Sequence, residues 1–375
     1  MGVGMPWNSL SRSARSQNVA SAACLAGILL VTMGCQSLGP ATVPQDRADY
    51  SEAISESWKR QALLNIVKLR YVDTPIFVDV GQIVAGYSLE RSLSVGASFP
   101  ETMAFGGDTA SFGGAARYTD RPTVTYVPLT GDNFMRALLA PLPPTAVFFL
   151  LESGHPADVV LLSSTASLNG LKNQEVSIEG VTPPDPRFLR ALDLFRTLQI
   201  AGALGMRVEP DARGQEITVL TLGHDMTLTR DIEEARRELR ELLRLDPEAS
   251  EFRLAFGVSA TDSRQIAIVT RSLIQLMQLM ASQVDVPIEH ITEGRVPRGW
   301  AETPGMPAGT RLIHVYRGAT APDDAAVAID YRGGQFWIDD RDLRSKRSLQ
   351  LIMMMFTLAS AGSKESLPLI TIPAQ

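Results

Sequence analysis

Two stretches of alternating residues constrain this chain more than any other feature. Leu89, Leu93, Val95, Ala97 and Phe99 alternate with Ser92, Ser94, Gly96 and Ser98. Beyond Gly106-Gly107-Asp108, the residues Ala110, Phe112, Gly114, Ala116 and Tyr118 alternate with Thr109, Ser111, Gly113 and Ala115. A period of two fits a strand, whose successive residues fall on opposite faces, and does not fit a helix. Two such runs about a Gly-rich turn predict a β-hairpin over 88–120. Each arm has the ~9–11 residues that a strand needs to cross a bilayer. Two readings stay open: an exposed hairpin or loop packed on its own domain, and a hairpin that enters a membrane. Arg91 falls among the apolar positions and weighs toward the first.

The N-terminus bears on where such a hairpin would sit. Arg12 and Arg15 form a basic start with no acidic residue near them, and Val19 to Met33 is an apolar, small-residue run that ends in Thr32-Met33-Gly34-Cys35. That order describes a secretory signal peptide. The run is about fifteen residues, short of the ~20 a spanning helix needs. Gly34-Cys35 resembles the cleavage site of bacterial lipoproteins, a family in which the cysteine is lipidated and becomes the first mature residue. The resemblance implies lipidation at Cys35, and Gln36 stands where Asp is the usual inner-membrane retention signal. The expected address is therefore the outer membrane, at its periplasmic face. Lipid-anchored proteins that assemble as rings and give hairpins to a shared barrel, such as the curli secretion channel, are similar in architecture.

The chain has 375 residues, 45% of them apolar and 20% charged, as an ordinary folded protein has. A cut after Gly34 removes two of the 35 basic residues and none of the 41 acidic ones, which leaves a net charge of −8. That balance argues against nucleic acid, whose binding rests on Lys and Arg neutralising phosphates. The two cysteines are Cys24 and Cys35, and Cys24 would leave with the signal. The remainder then has no pair for a disulfide and no Cys-based zinc site. No cofactor is implied. The expected partners are the membrane through the anchor, envelope proteins or further copies of the chain.

The rest of the pattern predicts an α+β fold of two mixed helix/strand domains, with the long Gly/Ser-rich hairpin in the N-terminal one. Residues 1–34 are read as signal, 35–50 as lipidated N-terminus and flexible tether, 51–180 as the first domain and 181–375 as the second. Asp49-Tyr50-Ser51-Glu52 predicts a helix start, and Ile54, Trp58, Ala62, Ile66 and Leu69 give a buried face down to Arg70. Ile76 to Val80 and Thr123 to Val127 read as strands. Helices are expected over Gly131–Ala140, from Pro144 through Leu151, from Pro186 and over Arg230–Leu245. The Met- and Leu-rich stretch from Ser263 to Val284 reads as one long helix. Leu312–Tyr316 reads as a strand, Ala325–Tyr331 and Gln335–Ile338 as a hairpin about Gly333-Gly334, Leu343–Ala361 as a helix and Pro368–Ile372 as a closing strand.

Chemistry is sparse. Asp339, Asp340 and Asp342 form the densest carboxylate group. They could hold a divalent cation or do acid/base work, or cap the following helix and pair with Arg341, Arg344 or Lys346. His155, His224, His290 and His314 lie at no metal-ligand spacing and are read as structural residues on loops or strands. There is no nucleophile elbow and no phosphate-cradling loop. Tyr331-Arg332-Gly333-Gly334-Gln335-Phe336-Trp337-Ile338-Asp339-Asp340-Arg341-Asp342, with Ser345-Lys346, resembles the C-terminal signature of an uncharacterised bacterial protein family. Thr270-Arg271-Ser272-Leu273 and Val286-Pro287 resemble its middle. That likeness implies no activity. The expectation is a non-enzymatic, lipid-anchored scaffold, assembly or secretion-accessory component, oligomeric through residues 88–120. The alternative is a tethered periplasmic hydrolase that uses Asp339 and Asp340.

Overall fold

The computed structural model describes residues 39–84, 87–98, 109–120, 123–210, 216–223 and 229–361. Cys35, the turn at Gly106-Gly107-Asp108, His224 and the strand expected at Pro368–Ile372 lie outside them. The fold is α+β. By internal contacts the chain divides into two units, one within residues 1–53 and 83–123 and the other within 54–82 and 124–375.

In the larger unit, six strands form one sheet in the order β6 (Leu171–Lys172), β5 (Thr165–Leu168), β12 (Gln265–Thr270), β11 (Glu251–Phe256), β10 (Glu216–Leu222) and β9 (Leu204–Pro210). Neighbours run antiparallel except β11 and β12, which are parallel. Strands before and after residue 181, the expected domain boundary, thus share one hydrogen-bonded sheet. α3 (Pro144–Glu152), α4 (Ala157–Ser164) and α5 (Pro186–Ile200) pack against it and one another. α5 starts as the sequence predicts, with Asp185 accepting from the Arg187 N–H, and it buries Phe188, Leu192, Phe195 and Leu198. α6 (Arg230–Leu243) lies on α5 and turns most of its charges outward, Arg240 being buried with its guanidinium on the Ala249 carbonyl (2.5 Å). A second sheet holds β13 (Tyr316–Gly318), β15 (Gly334–Asp339) and β14 (Ala325–Tyr331). The β14–β15 turn uses Arg332 and Gly333, both at positive φ (46° and 73°), the backbone of a type I′ hairpin. α9 (Leu343–Ala361) covers α2 (Asp132–Leu139) and α7 (Leu273–Ala281).

Three elements differ from expectation for identifiable reasons. α1 spans Gly39–Arg70 and so takes in residues read as a tether; the Ser51 hydroxyl donates to the Arg47 carbonyl four residues back (2.6 Å) and continues the helix instead of capping it. The stretch from Ser263 to Val284 is not one helix. Ile266, Ala267 and Ile268 are buried within β12, and α7 starts afresh at Ser272, whose capping box with Gln275 satisfies the first free N–H groups. Leu312 and Ile313 are not in a strand, because the Gln283 side-chain oxygen takes both of their N–H groups (2.7 and 2.9 Å).

Arg271, between β12 and α7, is buried and makes no ion pair among the described residues, though the charge of Glu175 acts on it. Its guanidinium donates to the carbonyls of Leu162 and Ser163 (both 2.9 Å) and of Gln174. Burial pushes its pKa down to about 10. One cation thus closes the end of α4, the β6–β7 connection and the start of α7, where β7 is Glu175–Ser177. Arg271→Leu keeps the volume but strips the buried Ser163 and Gln174 carbonyls of this donor, while that of Leu162 keeps Asn173 (2.8 Å), so the midpoint of urea unfolding should fall by the equivalent of about 3 kcal/mol. An unchanged midpoint would show that these carbonyls find other donors.

Candidate functional site

The smaller unit contains one candidate. β2 (Tyr87–Ser98) and β3 (Thr109–Asp120) pair antiparallel through twelve registered positions, as the alternation predicts. The register sets Leu89 opposite Tyr118, Leu93 opposite Gly114, Val95 opposite Phe112 and Ala97 opposite Ala110. The apolar series of the two arms therefore coincide, and so do the Ser/Gly series: Ser94 opposite Gly113 and Gly96 opposite Ser111. A slip of one residue would have set one series against the other. Among the described residues this sheet has no third strand.

The larger unit holds the second candidate, a cavity at the C-terminal end of α1. The chain there is positioned by amides. Gln61 and Asn65, one helical turn apart, each act as a peptide group toward the segment that runs back along α1. Asn65 donates to the Ile76 carbonyl (2.8 Å) and accepts from its N–H (3.0 Å); Gln61 does the same for Val78 (2.8 and 2.6 Å). A four-residue step on a helix thereby matches a two-residue step on an extended chain. Arg70, at the last position of α1, is almost wholly buried. It donates to the Pro297 carbonyl (2.5 Å) and the Val284 carbonyl (3.3 Å), with Glu302 3.5 Å from Nη2. Burial lowers its pKa, and Glu302 opposes that shift. Gly299 is required here, since a Cβ would lie 2.4 Å from the Ser282 carbonyl oxygen and 2.8 Å from the Arg70 guanidinium.

The next three residues are clasped by the β14–β15 turn. The Tyr71 hydroxyl meets His290 Nδ1 at 2.9 Å, and its ring packs edge-on against Tyr331 and Phe336. The Asp73 carboxylate accepts from the Tyr331 hydroxyl and from the Arg332 guanidinium, which also stacks 4.9 Å from the Tyr71 ring. The Tyr331 hydrogen bond, aided by Arg332, holds the Asp73 carboxyl below its ordinary range. Between them Val72 adopts φ +58°, the left-handed region that a β-branched residue disfavours, and it is 77% exposed.

The cavity beyond this turn has a volume of about 820 Å³. Its walls come from residues 72–77, α2, α7, the turn after β7 and Pro297-Arg298. Val72, Ile76, Met135, Leu139 and Ile178 are all exposed on it. A narrower cavity of about 100 Å³ lies alongside, between α1, α7 and α9, and Phe77 and Leu129 line both. Two hydroxyls of the larger cavity are committed, Ser282 to the Leu279 carbonyl (2.7 Å) and Ser177 to the Gly180 carbonyl (3.2 Å), and Thr74 and Thr130 line it as well.

The carboxylates singled out by sequence are brought together but employed separately. Asp339 accepts from the Arg341 N–H (2.8 Å), Asp340 pairs with Lys346 (2.5 Å), and Asp342 caps α9 by accepting from the Ser345 N–H (3.0 Å) and hydroxyl (2.5 Å). The Arg341 guanidinium turns instead to Asp324 (2.9 Å). Among the described residues no group of three His, Cys, Asp or Glu side chains is arranged to hold a metal ion, and no helix is long and apolar enough to cross a membrane. His290 sits on α8 (Ile288–Thr292), a helix and not the loop or strand expected; His314 Nε2 meets Asp285 (2.8 Å) and its ring stacks on Tyr316. Sequence reasoning passed over Gln61, Asn65 and Arg70, although polar residues beside the apolar stripe of α1 are a legible signal of buried partners. Comparison with protein-family models, with curated proteins and with solved structures finds no match.

The Asp73 clasp gives a pH prediction. A carboxyl whose folded pKa is lowered adds stability above the usual carboxylate value of ~3.9, and that stability is lost as pH falls through the lowered value. Asp73→Asn should therefore lower the urea midpoint at about pH 6, and the gap between variant and parent should shrink by about pH 2. A gap of equal size at both would assign the effect to packing.

Proposed function

We propose that this chain is a lipid-anchored protein of the bacterial envelope, held through Cys35 at the periplasmic face of the outer membrane. Its body serves as a non-enzymatic scaffold, assembly or secretion-accessory component that self-associates through hairpin 88–120. The observation that carries this reading is the register of β2 and β3. It aligns the apolar series of two twelve-residue strands. Among the described residues this sheet has two strands, and a lone two-stranded hairpin is marginal in water. Further copies would supply neighbouring strands. One apolar series and one Ser/Gly series suit strands that separate lipid from an aqueous lumen. The anchor is supported by the order of Arg12, Arg15, the apolar run and Gly34-Cys35.

Light scattering of the detergent-extracted protein, beside a variant lacking residues 88–120, tests the assembly. The parent should give a defined oligomer and the deletion a monomer; a monomer in both would overturn self-association through the hairpin. The anchor has its own test: Cys35→Ser should abolish incorporation of a fatty-acid analogue in cells, and undiminished labelling would sink it.

A further inference from the structure

We propose that the 820 Å³ cavity at the end of α1 binds an amphiphile with an apolar chain and an anionic head, the apolar part lying along the trough and the head at Arg298. The proposal goes beyond the anchoring and assembly proposed above and stands whether or not Cys35 carries lipid. Three observations converge on it. The volume is that of a small-molecule site. The walls leave Val72, Ile76, Met135, Leu139 and Ile178 exposed, from 46% at Met135 to 93% at Ile178, a contiguity that soluble surfaces avoid unless something covers it. Val72 is also held in a left-handed backbone that disfavours it, with no burial to offset the strain.

Charge selects the occupant. Of the ionisable groups on the lining, Arg70 has Glu302 and Asp73 has Tyr331 and Arg332. Arg298 is exposed at one side with no hydrogen bond or ion pair from its guanidinium among the described residues. The unmatched charge at the cavity is therefore positive. A guanidinium presents a planar fork of donors that suits a carboxylate or phosphate. Thr74, Thr130 and Gln278 are the further polar side chains on walls that are mostly apolar, which favours an apolar chain over a sugar or nucleotide, most of whose hydroxyls would be stripped of water without replacement. An apolar chain meets the opposite situation: Phe77 and Leu129 carry the apolar lining from the trough into the narrower cavity between α1, α7 and α9.

The test uses the full chain carrying Cys35→Ser, so that its own lipid cannot compete, titrated with the fluorescent fatty acid 11-(dansylamino)undecanoic acid. Saturable binding displaced by palmitate is expected. Arg298→Glu should weaken it at least tenfold, and the probe's uncharged methyl ester should bind parent and Arg298→Glu alike. Leu139→Asp and Ile178→Asp, both at exposed positions that the fold does not need, should weaken acid and ester together. Val258→Asp, on an exposed residue away from the cavity, should change neither. Absence of saturable binding, or equal affinity in all variants, overturns the proposal. So does a concentration-dependent dimer abolished by Ile178→Asp, which would give the trough to a second copy. Failure here leaves the Cys35 labelling and hairpin-deletion results untouched, so the two readings fall separately.

Discussion

A guanidinium taken out of water costs several kcal/mol unless its hydrogen bonds are replaced, and the larger unit is arranged around one such group. Arg70 closes α1 and is sealed between Val284, Pro297 and Glu302, with Gly299 pressed so close that no side chain fits. That contact joins residues more than two hundred positions apart in sequence. It fixes where α1 ends and hence where Tyr71, Val72 and Asp73 emerge. The clasp by Tyr331 and Arg332, and the trough beyond, depend on that placement.

Side-chain amides do much of the remaining alignment. Gln61 and Asn65 stand in for a neighbouring strand along residues 76–78. Gln283 takes the N–H groups of Leu312 and Ile313, Asn169 takes that of Ala267, and Asn173 donates to Leu162 and Thr165. Buried backbone groups must be paired. Where the chain leaves its sheets, an amide with one donor and one acceptor side supplies the pair. This is how irregular segments such as residues 76–78 and 312–313 keep backbone groups paired away from a sheet.

The two candidate regions ask for different things from a partner. The hairpin has two strands among the described residues, and further strands would extend it. The cavity offers apolar walls with a single unmatched cation and wants a chain with an acidic end. Both fit a protein placed beside a membrane, and neither needs a catalytic group.

Much of the fold was legible because its signals are local. Alternation from Leu89 to Tyr118 marked both arms of the hairpin, Asp185-Pro186 marked the start of α5, and Asp342 marked that of α9. The stretch through β12 and α7 misled because Ile266, Ala267 and Ile268 suit a buried strand as well as a helix, and burial between β5 and β11 chose the strand. The carboxylates at 339–342 were conspicuous in sequence yet serve caps and ion pairs. The cavity was invisible, since its walls come from segments between residues 69 and 298 that only packing assembles. The sequence by itself determined the α+β class, the hairpin and most helix starts, because periodicity and capping act over a few residues. Tertiary structure alone decided that Arg70 is buried, that Asn65 and Gln61 serve as strand partners and that Arg298 has no counter-ion among the described residues, because burial and pairing are properties of neighbours the chain brings together from afar.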